Sequence, residues 1–130
     1  MAKIMIVDDN YLMRRSVKKI LAPLDFEVIE AESGVNALIQ YEAEKPDLVI
    51  LDIKMKKYEL DGIDVADKLK KKDQAVKIIM VTAYSEHDFI KRSTALGVKD
   101  FIKKPFTPAR LRMLFWRHYN SVIIFFNIAK

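Results

Sequence analysis

Five short apolar runs recur along the chain, each followed by a stretch with helical spacing: Lys3–Val7, Glu27–Ala31, Asp47–Asp52, Lys77–Thr82 and Asp100–Ile102. Most of them are nearly continuous rather than alternating, the pattern of strands covered on both faces. Repeated strand–helix units with short links predict a parallel sheet wound on both sides by right-handed crossovers. The expected fold is therefore α/β, a doubly wound five-stranded sheet. With 130 residues, 51% of them apolar, the chain suits one domain with one core.

The intervening segments carry helix signals. Tyr11–Leu21 sets Val17, Ile20 and Leu21 on one face. Ser33 is placed to cap a helix over about Val35–Glu44, and Asp61-Gly62 opens one running through Val65 and Leu69 into Lys68, Lys70, Lys71 and Lys72. Ser85 caps the next, with Phe89, Ile90 and Leu96 inward and Gly97 as its stop. Thr107-Pro108 opens a last helix bearing Leu111, Leu114 and Phe115.

Chemistry gathers at the C-terminal ends of the runs. Asp8-Asp9 follow the first, Asp52 ends the third, Thr82 ends the fourth and Lys104 follows the fifth. In an open parallel sheet those ends form the ligand edge. Two carboxylates about 4 Å apart repel by roughly 4 kcal/mol at an effective dielectric near 20. A proton or a cation must therefore enter such a cluster. Hard oxygen donors suit Mg²⁺ or a similar divalent ion, with Asp9 and Asp52 as direct ligands and Asp8 acting directly or through water. Asp52, ending the central strand, is also placed to accept a phosphoryl group. Lys104 would hold one phosphoryl oxygen and the Thr82 hydroxyl another.

Composition excludes several classes. The chain has no cysteine, so disulfides, thiol catalysis and zinc-thiolate sites are ruled out. No signal peptide is read at the N-terminus and no apolar run reaches the roughly 20 residues of a membrane span, so a cytoplasmic protein is expected. The net charge of +5 reads as solvated lysine faces, not as a nucleic-acid surface, because no recognition motif accompanies it.

Taken together, Ile6-Val7-Asp8-Asp9-Asn10, Leu48-Val49-Ile50-Leu51-Asp52, Asp61-Gly62, Val81-Thr82-Ala83 and Lys103-Lys104-Pro105-Phe106 resemble a receiver domain of a two-component response regulator over residues 1–118. The resemblance implies a flavodoxin-like fold with strand order 2-1-3-4-5. It implies Asp52 as phosphoacceptor, fed from the phosphohistidine of a sensor histidine kinase or a histidine phosphotransfer protein. It implies Asp8, Asp9, Asp52 and the backbone carbonyl of Lys54 as Mg²⁺ ligands, Thr82 and Lys104 as phosphate-sensing groups, and Phe101 as an aromatic switch. Such a domain is a signalling switch that catalyses only its own phosphorylation and dephosphorylation. The alternative is a phosphorylation-independent interaction module. A phosphohydrolase would want a second acid where Lys54 stands, and a flavodoxin would want a hydroxyl-rich phosphate loop where Asp8-Asp9-Asn10 stand.

Three departures mark this chain. The loop after Asp52 carries Lys54, Lys56 and Lys57, expected to steer a phosphorylated partner and alter the lifetime of the phosphorylated state. Residues 119–130 form an apolar extension rich in β-branched and aromatic residues, expected to be covered, with a homodimer through the last helix and tail as the favoured cover. No output-domain pattern follows.

Overall fold

The computed structural model describes residues 2–55, 60–82, 87–98 and 100–118. Strands β1 (Lys3–Val7), β2 (Glu27–Ala31), β3 (Leu48–Asp52), β4 (Ile78–Thr82) and β5 (Asp100–Lys103) alternate with helices α1 (Tyr11–Leu21), α2 (Gly34–Glu44), α3 (Gly62–Lys72), α4 (His87–Ala95) and α5 (Pro108–His118). A 3₁₀ turn over Ala22–Leu24, absent from the sequence reading, links α1 to β2. The five strands form one sheet in the order β2-β1-β3-β4-β5. Every pairing is parallel. The doubly wound, flavodoxin-like order expected from the sequence is the one observed.

Side-chain alternation explains the continuous apolar runs. On one face Met5, Val7, Val49, Leu51, Ile78 and Met80 pack against Val65, Ala66 and Leu69 of α3 and Ala37 of α2. On the other, Ile4, Ile6, Leu48, Ile50, Ile79 and Val81 pack against Val17 and Leu21 of α1 and Leu111, Leu114 and Phe115 of α5. Each interior strand feeds two cores, so no position can be polar until the strand ends. Fully burying such a side chain contributes about 1.5–3 kcal/mol. Phe115 adds an edge-on contact to Phe26, with centroids 5.7 Å apart at 76°. The outer strand β2 is different: Glu27 is exposed and Glu30 only half-buried, charges that discourage pairing at an open edge.

The strand boundaries differ from the sequence reading by one residue. Asp47 leaves β3 because its carboxylate accepts from the Lys3 backbone N–H at 2.8 Å. Lys77 precedes β4, and β5 extends to Lys103.

Caps hold the helix starts at the C-terminal edge of the sheet. Asn10 accepts from Met13 N–H at 3.2 Å and Ser33 from Asn36 N–H at 3.0 Å. Asp61 and Asp64 exchange two bonds, 2.9 and 3.1 Å, in a capping box. Thr107 accepts from Arg110 N–H at 3.1 Å ahead of Pro108. The predicted Ser85 cap lies outside the described residues. Gly97, with φ +91°, follows α4 in the left-handed conformation that glycine tolerates.

Candidate functional site

The three acids meet. Asp8 follows β1, Asp52 ends β3, and Asp9 stands beside them, with one carboxylate oxygen from each lying within 4.8 Å of the others. Backbone pairing dictates this. Val7 is in register with Leu51, so residue 8 lies level with residue 52 on adjacent strands. Asp8 and Asp52 are only 3% and 6% exposed. The burial has a visible cause: both back onto a crevice of about 10 Å³ walled by Met13, Val17, Val81 and Phe106.

Lys104 answers them. Its ammonium lies 3.3 Å from Asp8 Oδ2 and 3.5 Å from Asp52 Oδ1. Asp8 Oδ1 also accepts from the Asn10 N–H at 2.9 Å. These partners compensate the cluster only in part. Burial, then the charge of Asp8, pushes the Asp52 carboxyl up to about 7, against the pull of Lys104. Burial raises Asp8 as well, opposed chiefly by the Asn10 N–H and then by Lys104. A site that leaves a carboxyl so far above its ordinary range favours the entry of a cation. Three hard oxygen donors at this spacing suit a divalent ion, and the Lys104 ammonium already bridges two of them.

Thr82 is 7% exposed and ends β4, next to β3 through the Asp52–Val81 register. Its backbone carbonyl accepts from the Lys104 N–H at 2.7 Å. Lys54 is exposed between buried Ile53 and Met55, in the loop that leaves β3. Phe101 is half-buried on β5 against the core formed with α3, alongside Phe89 and Leu96. Lys56 and Lys57 lie outside the described residues, as do residues 119–130.

Sequence reasoning missed two supports. Arg14 lies outside the apolar face read for α1, yet its guanidinium donates to the Asp8 carbonyl at 2.7 Å and to Glu30 at 3.2 Å. Its place four residues after the Asn10 cap, one turn into the helix, was the available signal. Gly62 is the second. A Cβ there would stand 2.1 Å from the Asp52 carbonyl oxygen and 2.7 Å from Ile53 Cα. Gly62 N–H donates to the Ile53 carbonyl at 2.8 Å, so α3 starts directly on the end of β3.

Size alone does not locate the site. A groove of about 990 Å³ opens at the other end of the sheet between Lys70, Lys77, Gly97 and Asp100, and none of the five groups above lines it.

The family model for the response regulator receiver domain matches residues 4–115. The chemotaxis protein CheY of Listeria monocytogenes is 41% identical over 112 residues, covering 85% of this chain and 92% of that protein. Sporulation initiation phosphotransferase F of Bacillus subtilis is 36% identical over 110 residues, covering 85% and 87%. Among solved structures, chemotaxis protein CheY4 of Vibrio cholerae superposes with a TM-score of 0.85 at 26% identity, over 92% of this chain and 99% of that one. A CheY from Borrelia burgdorferi, solved as a CheX-CheY-BeF3-Mg²⁺ complex, matches with a TM-score of 0.82 at 28% identity, over 89% and 87%. With sheet order, carboxylate cluster and relatives in agreement, the chain belongs to the response regulator receiver domain family, the phosphorylation-dependent switch of two-component signalling.

Proposed function

We propose that Asp52 is the phosphoacceptor. The observation that carries this reading is the Asp52 carboxylate itself: it closes the central strand, faces Asp8, and has the Lys104 ammonium at 3.5 Å. In the reaction a carboxylate oxygen of Asp52 bonds to phosphorus as the P–N bond of a phosphohistidine breaks. The imidazole nitrogen keeps the bonding electron pair and the product is an acyl phosphate. The donor is the phosphohistidine of a sensor histidine kinase or histidine phosphotransfer protein. Asp8, Asp9, Asp52 and the Lys54 backbone carbonyl would hold Mg²⁺, which neutralises phosphoryl oxygens when bound. The beryllofluoride and magnesium in the Borrelia complex support the same reading for this related fold.

Lys104 binds a phosphoryl oxygen as a point charge, exchanging its present carboxylate partners for the new anion. The Thr82 hydroxyl donates to another oxygen. Phosphorylation brings roughly −1.5 to −2 charge into the pocket. The resulting shift of Thr82 and Lys104 is read out through Phe101 on β5. Beyond catalysing its own phosphorylation and dephosphorylation, the domain needs no enzymatic activity. No helix among the described residues is long and apolar enough to cross a membrane, which suits exchange with a cytoplasmic kinase domain.

Incubation with Mg²⁺ and acetyl phosphate tests the assignment. A phosphoryl adduct by mass is expected in the wild type and absent in Asp52→Asn. An adduct persisting in Asp52→Asn would move the phosphoacceptor elsewhere. No adduct with any donor would leave a phosphorylation-independent interaction module.

The receiver unit occupies residues 1–118, and 119–130 serve as an apolar extension that supports self-association with α5. Exposed Met113 on α5, 60% accessible, favours that face. Sedimentation of a chain ending at 120 is expected to show weaker association than the full chain. Equal association would reject the role.

A further inference from the structure

We propose that Arg14 is a positioning residue for the divalent cation: it holds the Asp8–Asp9 peptide, and so the aim of two metal-binding carboxylates, while Glu30 holds Arg14. Parallel pairing of β1 with β2 and β3 ends at Val7, so Asp8 stands one residue past the ladder. Its N–H donates to the Ala31 carbonyl at 3.1 Å, and its carbonyl accepts from Arg14 Nη1 at 2.7 Å. That carbonyl belongs to the peptide unit joining Asp8 to Asp9. Because the unit is planar, fixing its oxygen restrains Asp8 ψ and Asp9 φ together. The Cα atoms at its two ends carry the two carboxylates.

The guanidinium is itself held. Glu30 is in register with Ile6, whose side chain lies on the α1 side of the sheet, and its carboxylate accepts from Arg14 Nε at 3.2 Å. Lys18, one turn on, sets its ammonium 3.8 Å from the other Glu30 oxygen. The Tyr11 ring centroid lies 5.7 Å from the guanidinium carbon. Only 11% of the Arg14 side chain is exposed. Arginine suits this work because its planar fork reaches a carboxylate and a carbonyl at once in a fixed geometry. The role is geometric and runs against charge. As a bare charge beside the acidic cluster, Arg14 would repel a second cation and weaken its binding. As a brace it strengthens binding, because ligands fixed in advance need no ordering when the ion arrives.

The inference rests on the Mg²⁺ reading above, and one set of titrations separates the two. Mg²⁺ is titrated calorimetrically into the full chain as wild type, Arg14→Met, Arg14→Lys, Glu30→Met and the Arg14→Met/Glu30→Met double variant, each shown to be folded by circular dichroism. Arg14→Met is expected to bind about tenfold more weakly, the scale for removing a group that orients a metal ligand. Arg14→Lys keeps the charge without the fork and also binds more weakly, by a smaller factor. Glu30→Met is weakened too, yet the double variant is no weaker than Arg14→Met, because Glu30 acts through Arg14. The double variant removes one charge of each sign, so its loss is not a charge effect. Equal or tighter binding by Arg14→Met, or wild-type affinity in Arg14→Lys or the double variant, overturns the brace while leaving the Mg²⁺ site standing. No Mg²⁺ binding by the wild type overturns both. A second measurement needs no metal: the Asp9 amide nitrogen, in the peptide that the guanidinium polarises, is expected to move upfield in NMR spectra of Arg14→Met. An unmoved resonance would also overturn the brace.

Discussion

The Lys104 ammonium and the Asp52 carboxylate stand 3.5 Å apart although they lie 52 positions apart in the chain. Lys104 also reaches Asp8, so one side chain bridges two strands. Removing it leaves two buried carboxylates facing each other. Lys104→Met is expected to lose about 1–3 kcal/mol by urea unfolding at pH 8 with chelator present. Mg²⁺ should restore most of the loss, because a dication can compensate the same oxygens. Wild-type stability in chelator would refute the bridging role.

Gly62 is where α3 touches the reactive end of β3. The 2.1 Å approach to the Asp52 carbonyl leaves no room for a methyl group and involves backbone, which cannot rotate aside. Gly62→Ala is expected to cost about 1–3 kcal/mol, the range for overpacking, and to slow phosphorylation by displacing Asp52. The comparison is Gly34→Ala. There the closest atoms are Leu60 Cβ at 2.7 Å and Val65 Cγ2 at 2.8 Å. It should destabilise while sparing phosphorylation. Equal phosphorylation defects in both would show that Gly62 has no special relation to Asp52.

The acid cluster makes stability depend on pH in a stated direction. The Asp52 carboxyl titrates near 7 in the fold against an ordinary 3.8. Between those values the folded chain holds a proton that the unfolded chain has released. Metal-free stability therefore falls as pH rises through that window and levels above it. The raised Asp8 acts in the same sense. Melting temperatures in chelator should decline from pH 5 to pH 8, and Asp52→Asn should flatten the slope and melt higher at pH 8. A wild-type slope retained in Asp52→Asn would assign it to other groups.

Ser93 is fully buried on α4, and its hydroxyl has no hydrogen-bond partner among the described residues. An unsatisfied buried hydroxyl costs about 1–3 kcal/mol, and deleting it leaves only a small void. Ser93→Ala is expected to raise the melting temperature. A lower one would mean that the hydroxyl is satisfied in solution.

The fold and most of the pocket were legible because both rest on repetition. Val49 and Leu51 face one core while Leu48 and Ile50 face the other, so β3 reads as one apolar run that has to stop at Asp52. The same stop recurs at Asp8 and Thr82. What escaped the sequence depends on contacts between distant segments. Arg14 stands one turn after the Asn10 cap, yet a helical arginine reads as solvated, and only the fold shows that its guanidinium meets the Asp8 carbonyl. Lys45 closes α2 at φ 46°, a left-handed position where glycine would have been the signal. Lys54 reads as one more loop cation until α4 brings Phe89 beneath it.

The hydrogen bond from the Lys104 N–H to the Thr82 carbonyl has a consequence for information. At 2.7 Å, beside the Thr82–Lys103 register of β4 and β5, it yokes the hydroxyl-bearing residue to the ammonium-bearing one through their main chains. Displacement of either is felt by the other. On the proposed reading, in which Thr82 and Lys104 both sense the phosphoryl group, the pocket transmits a single bit, and a stimulus too weak to move both leaves the message unsent.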